Sequence, residues 1–154
     1  MGQNEFRVID LLRKSSRSSL TAMSLKTGLP ITTLFKMVKK LERHGVVIKH
    51  VTLMDFAMLR YPLRLGIFLK ATDKDRLKSF LEKNLNLNTL QRTSGNFDFY
   101  AELYFKDMAE YQQFIDTTED SELTKGTDSH YFLTDIKEET FKFGGKDENR
   151  KSSP

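Results

Sequence analysis

The chain has 154 residues, which suits one domain or two small ones, and its 38% hydrophobic and 30% charged residues are typical of a soluble globular protein. It contains no cysteine, which excludes a disulfide framework, a thiolate metal site and a cysteine nucleophile. With only three histidines, no metal or cofactor is expected. No apolar run reaches the roughly 18 residues of a membrane helix, and the first residues lack an apolar signal region. We therefore expect a cytoplasmic protein without membrane association.

The charge is unevenly distributed along the chain. Residues 1–60 carry eleven Lys and Arg against four Asp and Glu, whereas residues 61–143 carry eleven against fifteen. A basic front half and an acidic back half predict one module that binds a polyanion and one module with another role. The alternative is that both halves present ordinary solvated surfaces.

Helical spacing of apolar residues predicts three helices in the front half. The first covers Glu5–Lys14. A short second helix, with Thr21 as its N-cap, ends before Gly28, where a left-handed C-cap belongs. Pro30 suits the first turn of the third helix, which covers Ile31–His44. Three helices in about 40 residues, with a glycine turn before the third, form a helix-turn-helix pattern.

The third helix has an apolar stripe, which includes Leu34 and Leu41, and a basic side opposite to it. The basic side carries Thr32, Thr33, Phe35, Lys36, Lys39, Lys40 and Arg43. After Gly45, the β-branched segment Val46–Leu53 predicts a wing strand. A helix of this kind can enter the major groove of DNA, where its first turns meet base edges. The alternative is that the basic side is only the solvated face of an amphipathic helix.

The back half shows the order β-α-β-β-α-β, which is a ferredoxin-like unit. Strands are predicted at 63–71, 87–93, 97–106 and 129–136, the last extended by Phe141 and Phe143, and helices follow the caps Thr72 with Asp75 and Asp107 with Glu110. The predicted class is α+β: a winged helix-turn-helix domain (1–53), a linker (54–62), a ferredoxin-like effector-binding and dimerisation domain (63–143) and a disordered tail (144–154).

Strand alternation assigns the sheet residues to two faces. Both helices cover one face, since the crossovers are right-handed, and this face takes Leu65, Ile67, Phe99, Ala101 and Leu103. The other face carries Phe68, Tyr100 and Tyr104, which a second copy of the sheet would cover in a two-fold homodimer. The alternative is that tyrosines exposed on an open sheet are ordinary surface residues.

Two separate segments, one in the front half (in two stretches) and one in the back half, resemble the leucine-responsive regulator and AsnC family (Lrp/AsnC). Gly28–Leu34 and Val38–Val47 resemble the turn, the recognition helix and the following Gly-Val-Ile of that family. Thr93–Asp98 resembles the Gly-Asp-Tyr-Asp turn of its effector domain, with Asn96 and Phe97 where the family has Asp and Tyr. Both segments at this separation are more specific than either alone, and the resemblance covers nearly the whole chain.

The resemblance implies a sequence-specific transcription regulator that binds double-stranded DNA as a homodimer. In some members the dimers assemble to octamers, and an amino acid or related effector binds between effector domains. The implied DNA contacts are Thr32, Thr33, Phe35, Lys36, Lys39, Lys40, Lys49 and His50, and the implied effector-binding residues are Gly95, Asn96, Phe97 and Asp98. Phe35 would touch a thymine methyl; its alternative role is packing between helices.

Two other functions remain as alternatives. An enzyme with the same architecture would be similar to sirohaem decarboxylases, but His44 and His50 fall in the DNA module, and His130 lies in the last strand. No catalytic residue is therefore predicted. A ligand sensor whose front half binds another protein is the second alternative, and the basic front half argues against it.

Overall fold

A computed structural model describes residues 1–136 of the chain. The strand extension predicted at Phe141 and Phe143 and the tail predicted at 144–154 lie outside these residues. The described chain forms two compact units, Met1–Leu53 and Met54–Ile136.

The N-terminal unit contains the three predicted helices. They are α1 (Gln3–Lys14), α2 (Leu20–Thr27) and α3 (Ile31–Arg43). Each helix turns its apolar stripe toward one shared core, because burying that stripe is the main source of stability for short amphipathic helices. The buried members of this core are Val8, Ile9, Met23, Leu34 and Leu41.

The ends of α2 and α3 are determined by local side chains. Ser19 caps α2, since its hydroxyl accepts a hydrogen bond from the Ala22 amide at 3.1 Å. The predicted cap Thr21 is therefore wrong and lies inside the helix. Gly28 ends α2 with φ 73°, the left-handed conformation that was expected. Pro30 occupies the N-cap of α3 rather than its first turn.

The predicted wing strand at Val46–Leu53 is wrong: no strand lies within residues 1–53. The amides of Val46 and Val47 both donate to the Leu41 carbonyl and close the end of α3. A strand also needs a hydrogen-bonded neighbouring strand, and residues 1–136 supply none to this segment. High β propensity alone does not produce a strand in this position.

The C-terminal unit has the predicted ferredoxin-like order, with four strands and two helices. The strands are β1 (Leu63–Ala71), β2 (Leu87–Arg92), β3 (Phe99–Phe105) and β4 (Thr124–Tyr131), and the helices are α4 (Lys74–Glu82) and α5 (Met108–Asp120). The sheet order is β2-β3-β1-β4 with antiparallel neighbours throughout. The α+β fold class is thus confirmed.

One face of this sheet carries the core of the C-terminal unit. The core residues of the two central strands are Leu65, Ile67, Leu69, Phe99, Ala101, Leu103 and Phe105, and α4 and α5 add Leu77, Leu81, Phe114 and Ile115. Burial therefore follows the alternation that the sequence predicted for β1 and β3. In the register of the central strands Phe68 lies opposite Tyr100, and Arg64 lies opposite Tyr104.

The predicted cap of α4 and the predicted bounds of the last strand are wrong. Asp73 caps α4 by accepting hydrogen bonds from the Asp75 and Arg76 amides, so the capping box assigned to Thr72 and Asp75 is not formed. Strand β4 covers Thr124–Tyr131 rather than the predicted 129–136, because pairing with β1 rather than local alternation selects its residues. The Asp107 cap of α5 is present, with Glu110 bonded to the Lys106 amide.

Candidate nucleic-acid interface

The polar side of α3 faces outward from the N-terminal unit. Leu34 and Leu41 are buried beneath it, at 0% and 3% exposure. Because an α-helix turns 100° per residue, Met37 and Val38 also pack against the core, whereas residues on the opposite side point away from it. Thr32, Phe35, Lys36, Lys39 and Lys40 are exposed there, and Thr33 is half-buried. Phe35 is 52% exposed and lies outside the core of the unit.

Hydrogen bonds between α2 and the following turn hold the start of α3 in position. The Ser24 hydroxyl donates to the Leu29 carbonyl at 2.6 Å, and the Thr27 hydroxyl donates to the Met23 carbonyl at 2.8 Å. The Leu29 amide in turn donates to the Thr27 hydroxyl at 3.3 Å. A small side chain at Ser24 thus lets the turn approach α2 closely, and the first turn of α3 starts from a defined geometry.

The lysines of α3 differ in their ionic partners. Lys36 is exposed and has no ion pair within residues 1–136. Lys39 bonds to Glu42 at 3.0 Å, one helical turn further along. The second oxygen of Glu42 lies 3.4 Å from Nε2 of His50. The Lys39 hydrogen bond, followed by that of His50, lowers the pKa of Glu42.

Lys40 is held by an acidic residue from α1. Its Nζ lies 2.7 Å from Oε1 of Glu5, which is only 8% exposed. The other oxygen of Glu5 accepts the Gly2 amide at 2.7 Å. The hydrogen bonds from Lys40 and from the Gly2 amide lower the pKa of Glu5. Sequence reasoning missed this contact; an acidic residue in the first turn of α1 is the local signal for the Gly2 bond alone.

Lys49 and His50 lie on the irregular segment after α3 and are exposed. His50 contacts Glu42, as described above, so this segment and the end of α3 share one charged cluster. Lys49 has no ion-pair partner in the part of the chain that the structure describes.

The segment assigned to the effector site forms a turn before β3. Gly95 has φ 97°, a conformation that favours glycine. Asn96 is exposed, while the Phe97 ring packs 5.8 Å from Phe68. The carboxylate of Asp98 bonds to Lys74 at 2.8 Å and to the Ala71 amide at 3.0 Å.

These contacts give Asp98 a structural role in the turn. The Lys74 hydrogen bond, followed by the Ala71 amide, lowers its pKa. Lys70 adds a third contact at 3.7 Å. The turn is thereby attached to the end of β1 and to the start of α4. The exposed amide of Asn96 is the polar side chain that the turn presents to solvent.

The open face of the sheet carries the three aromatic residues assigned to the dimer interface, and all three are half-buried. The rings of Phe68 and Tyr100 lie 5.1 Å apart. Tyr104 stacks on Phe56 at 4.0 Å, so the segment before β1 already covers part of this face. Sequence reasoning did not assign a role to Phe56.

An ionic cluster on the same face was also missed by sequence reasoning. Arg64 bonds to Glu102 at 3.0 Å and to Asp135 at 2.7 Å, while the Asn88 amide donates to Glu102 at 2.7 Å. Burial lowers the pKa of Arg64, but the hydrogen bond and charge of Glu102 outweigh it, and the pKa is raised overall. Gly66 lies opposite Glu102 in the register of β1 and β3, and a Cβ there would be 2.9 Å from the Tyr100 ring.

Comparison with known proteins agrees with this architecture. The family model of the IclR helix-turn-helix domain matches residues 4–49. The HTH-type transcriptional regulator FL11 of Pyrococcus abyssi is 27% identical over 136 residues, which are 87% of this chain and 90% of FL11. The leucine-responsive regulatory protein of Haemophilus influenzae is 27% identical over 120 residues, covering 74% of this chain and 72% of that protein.

Solved structures share the fold. LrpC of B. subtilis superposes with a TM-score of 0.82 at 21% identity, covering 89% of this chain and 97% of LrpC. The transcriptional regulator NMB0573 of Neisseria meningitidis, solved as a complex with L-Met, gives a TM-score of 0.81 at 20% identity, covering 91% of this chain and 94% of that one.

The helix-turn-helix unit and the named relatives define a transcriptional regulator with a DNA-binding domain. The comparisons support a regulator of the Lrp/AsnC type, since the chain is similar to a leucine-responsive regulatory protein and shares the fold of LrpC. This confirms the resemblance read from the sequence. Among residues 1–136 no helix has the length and apolar character to cross a membrane. Over the same span no cluster of His, Cys, Asp and Glu is suited to a metal ion.

Proposed function

We propose that the protein reads double-stranded DNA sequence-specifically with the outward side of α3. The observation that carries this proposal is that the first turns of α3 expose Thr32, Phe35 and Lys36. The turn before α3 is held in position by the hydrogen bond from Ser24 to the Leu29 carbonyl. Thr32 and Thr33 are suited to hydrogen bonds with bases or phosphates, and Phe35 to a thymine methyl. Lys36 and Lys39 would bind phosphates and orient the helix in the groove.

Lys49 and His50 support the same proposal from the segment after α3. Both are exposed, and both follow the helix by only a few residues. Cationic side chains beside a recognition helix are suited to the DNA backbone rather than to bases. Lys40 differs from these residues because its ammonium is bound to Glu5. We accordingly assign DNA binding to residues 1–53, followed by a linker at 54–62 and the ferredoxin-like domain from residue 63.

The DNA-binding unit needs a partner copy to read two half-sites. Phe68, Tyr100 and Tyr104 form a partly exposed aromatic strip on the open face of the sheet, and a second copy related by a two-fold axis would cover it. Two recognition helices about 34 Å apart would then enter successive major grooves on one side of the DNA. Dimers of this kind are suited to further assembly, up to octamers.

An amino acid or a related small molecule is the proposed effector. NMB0573, which shares the fold, was solved with L-Met. The turn Gly95–Asp98 would contribute the exposed amide of Asn96, since the carboxylate of Asp98 is bonded within the protein. The relatives are regulators, and we assign the chain no catalytic role. A regulator of this kind acts where the genome lies, in the cytoplasm.

Binding to genomic fragments, followed by footprinting, tests the proposed function. We expect protected sites with two half-sites separated by one helical turn of DNA. Thr32→Ala should reduce the preference for the protected site over random DNA, because a base contact carries discrimination of about 1–3 kcal/mol. Lys83→Ala, an exposed lysine outside the proposed interface, is the matched surface control. Equal affinity of the wild-type protein for all fragments would refute sequence-specific reading.

A further inference from the structure

We propose that Glu5 is a positioning residue that holds Lys40 away from the DNA phosphates and so lowers the affinity of the protein for DNA of any sequence. The inference rests on the proposed DNA-binding function of α3. It gives α1 a role in determining how many lysines of α3 are available to DNA phosphates. Lys40 is then less available than the other lysines of that helix.

Both carboxylate oxygens of Glu5 accept hydrogen bonds, and these two bonds hold its side chain in one position. Oε1 binds Nζ of Lys40 at 2.7 Å, and Oε2 accepts the Gly2 amide at 2.7 Å. The Glu5 side chain is 11% exposed, whereas that of Lys40 is 56% exposed. The carboxylate therefore sits in a fixed place on α1, and the lysine reaches to it across 35 residues of sequence.

If Lys40 left Glu5 to bind a DNA phosphate, the transfer would have a free-energy cost that does not arise for the other lysines of α3. The buried carboxylate of Glu5 would lose its charged partner and keep only the Gly2 amide. Hydrogen bonds between charged groups are short and strong, and a buried charge left without its partner is unfavourable. The lowered pKa of Glu5 agrees with a carboxylate that stays ionised beside Lys40.

The neighbouring pair of Lys39 and Glu42 provides an internal comparison. It joins two residues of the same helix at i and i+3, with side chains that are 57% and 33% exposed. Exposed pairs of this kind contribute little, so Lys39 can exchange Glu42 for a phosphate at small cost. The structure thus ranks the lysines by availability, with Lys36 first, Lys39 second and Lys40 last.

Salt titration of DNA affinity with the full chain tests this ranking. The probe is a fluorescein-labelled random-sequence duplex, and the variants are Glu5→Gln, Lys40→Ala, the double variant and the control Glu42→Gln. A glutamine at position 5 retains an acceptor for the Gly2 amide but loses the charge that binds Lys40. Thermal unfolding of each variant verifies that the fold persists.

We expect Lys40→Ala alone to leave the slope of log Kd against log salt nearly unchanged. Glu5→Gln should steepen that slope by roughly 0.9 for each protomer in contact with DNA, because one more phosphate contact becomes available. The double variant should return to the wild-type slope. Glu42→Gln should have the smaller effect, since Lys39 is already largely available.

Two results would overturn the inference while leaving the DNA-binding function intact. One is a flatter slope, by roughly 0.9 per protomer, for Lys40→Ala with Glu5 unchanged, since Lys40 would then already bind a phosphate. The other is an unchanged slope for folded Glu5→Gln. If Glu5→Gln does not fold, the salt slope of Lys40→Ala alone tests the inference. An absence of salt-dependent binding by the wild-type protein would instead refute the DNA-binding function, and this inference with it.

Discussion

Lys36→Ala removes an exposed ammonium of α3 that has no ion pair within residues 1–136. Each phosphate contact contributes roughly 0.9 to the slope of log affinity against log salt, so two lost contacts in a dimer lower the slope by about 1.8. Between about 50 and 200 mM salt, the wild-type Kd should then rise about 12-fold more than that of the variant. The effect follows from charge and exposure, because no ionic partner of Lys36 among residues 1–136 has to be replaced.

Fluorescence anisotropy with a footprinted site and with random DNA measures this slope. Addition of Lys39→Ala should lower it further, by up to the same amount, because the Glu42 pair is exposed and weak. Lys83→Ala serves as the control for a generic loss of positive charge. Identical slopes for the wild-type protein and the folded Lys36→Ala, Lys39→Ala double variant would place the DNA site outside α3.

The remaining predictions concern stability and assembly. Gly28→Ala should lower the free energy of unfolding by about 1 kcal/mol, measured by thermal unfolding, because φ is 73° at this position. Gly126→Ala should leave the free energy of unfolding nearly unchanged, since a Cβ at Gly126 has open space and φ there is not positive. The lowered pKa of Asp98 means that the unfolded chain binds more protons, so stability is lost as pH falls below the ordinary value of 3.8. Asp98→Asn should flatten that acid dependence in urea unfolding. Phe68→Asp should convert a dimer into a folded monomer in sedimentation at micromolar concentration.

Each of these predictions has a contrary outcome. Equal decreases in the free energy of unfolding for Gly28→Ala and Gly126→Ala would show that the left-handed conformation of Gly28 does not cause the destabilisation. An unchanged acid dependence for Asp98→Asn would show that the bonds to Lys74 and to the Ala71 amide do not favour the ionised form. A wild-type protein that sediments as a monomer, or a Phe68→Asp variant that remains dimeric, would remove the open face of the sheet from the interface.

Local patterns were sufficient for the helices of both units and for the strands of the C-terminal sheet, but not for the wing. The stripe formed by Leu34 and Leu41 predicted which side of α3 is buried, because residues at i and i+7 share one face of a helix. The alternation in β3 predicted the burial of Phe99 and Leu103 for the same kind of geometric reason. Gly28 marked the end of α2, since few other residues adopt a positive φ without strain.

Properties that depend on a distant partner were decided only by the tertiary structure. Val46–Leu53 has the composition of a strand, yet no strand among the described residues 1–136 pairs with it. The start of β4 depends on its register with β1. Sequence alone ranked Lys36 and Lys40 as equivalent cations, because a linear pattern shows charge but not the neighbours of that charge. The fold brings Glu5 within 2.7 Å of Lys40 across 35 residues, and it leaves Lys36 facing solvent.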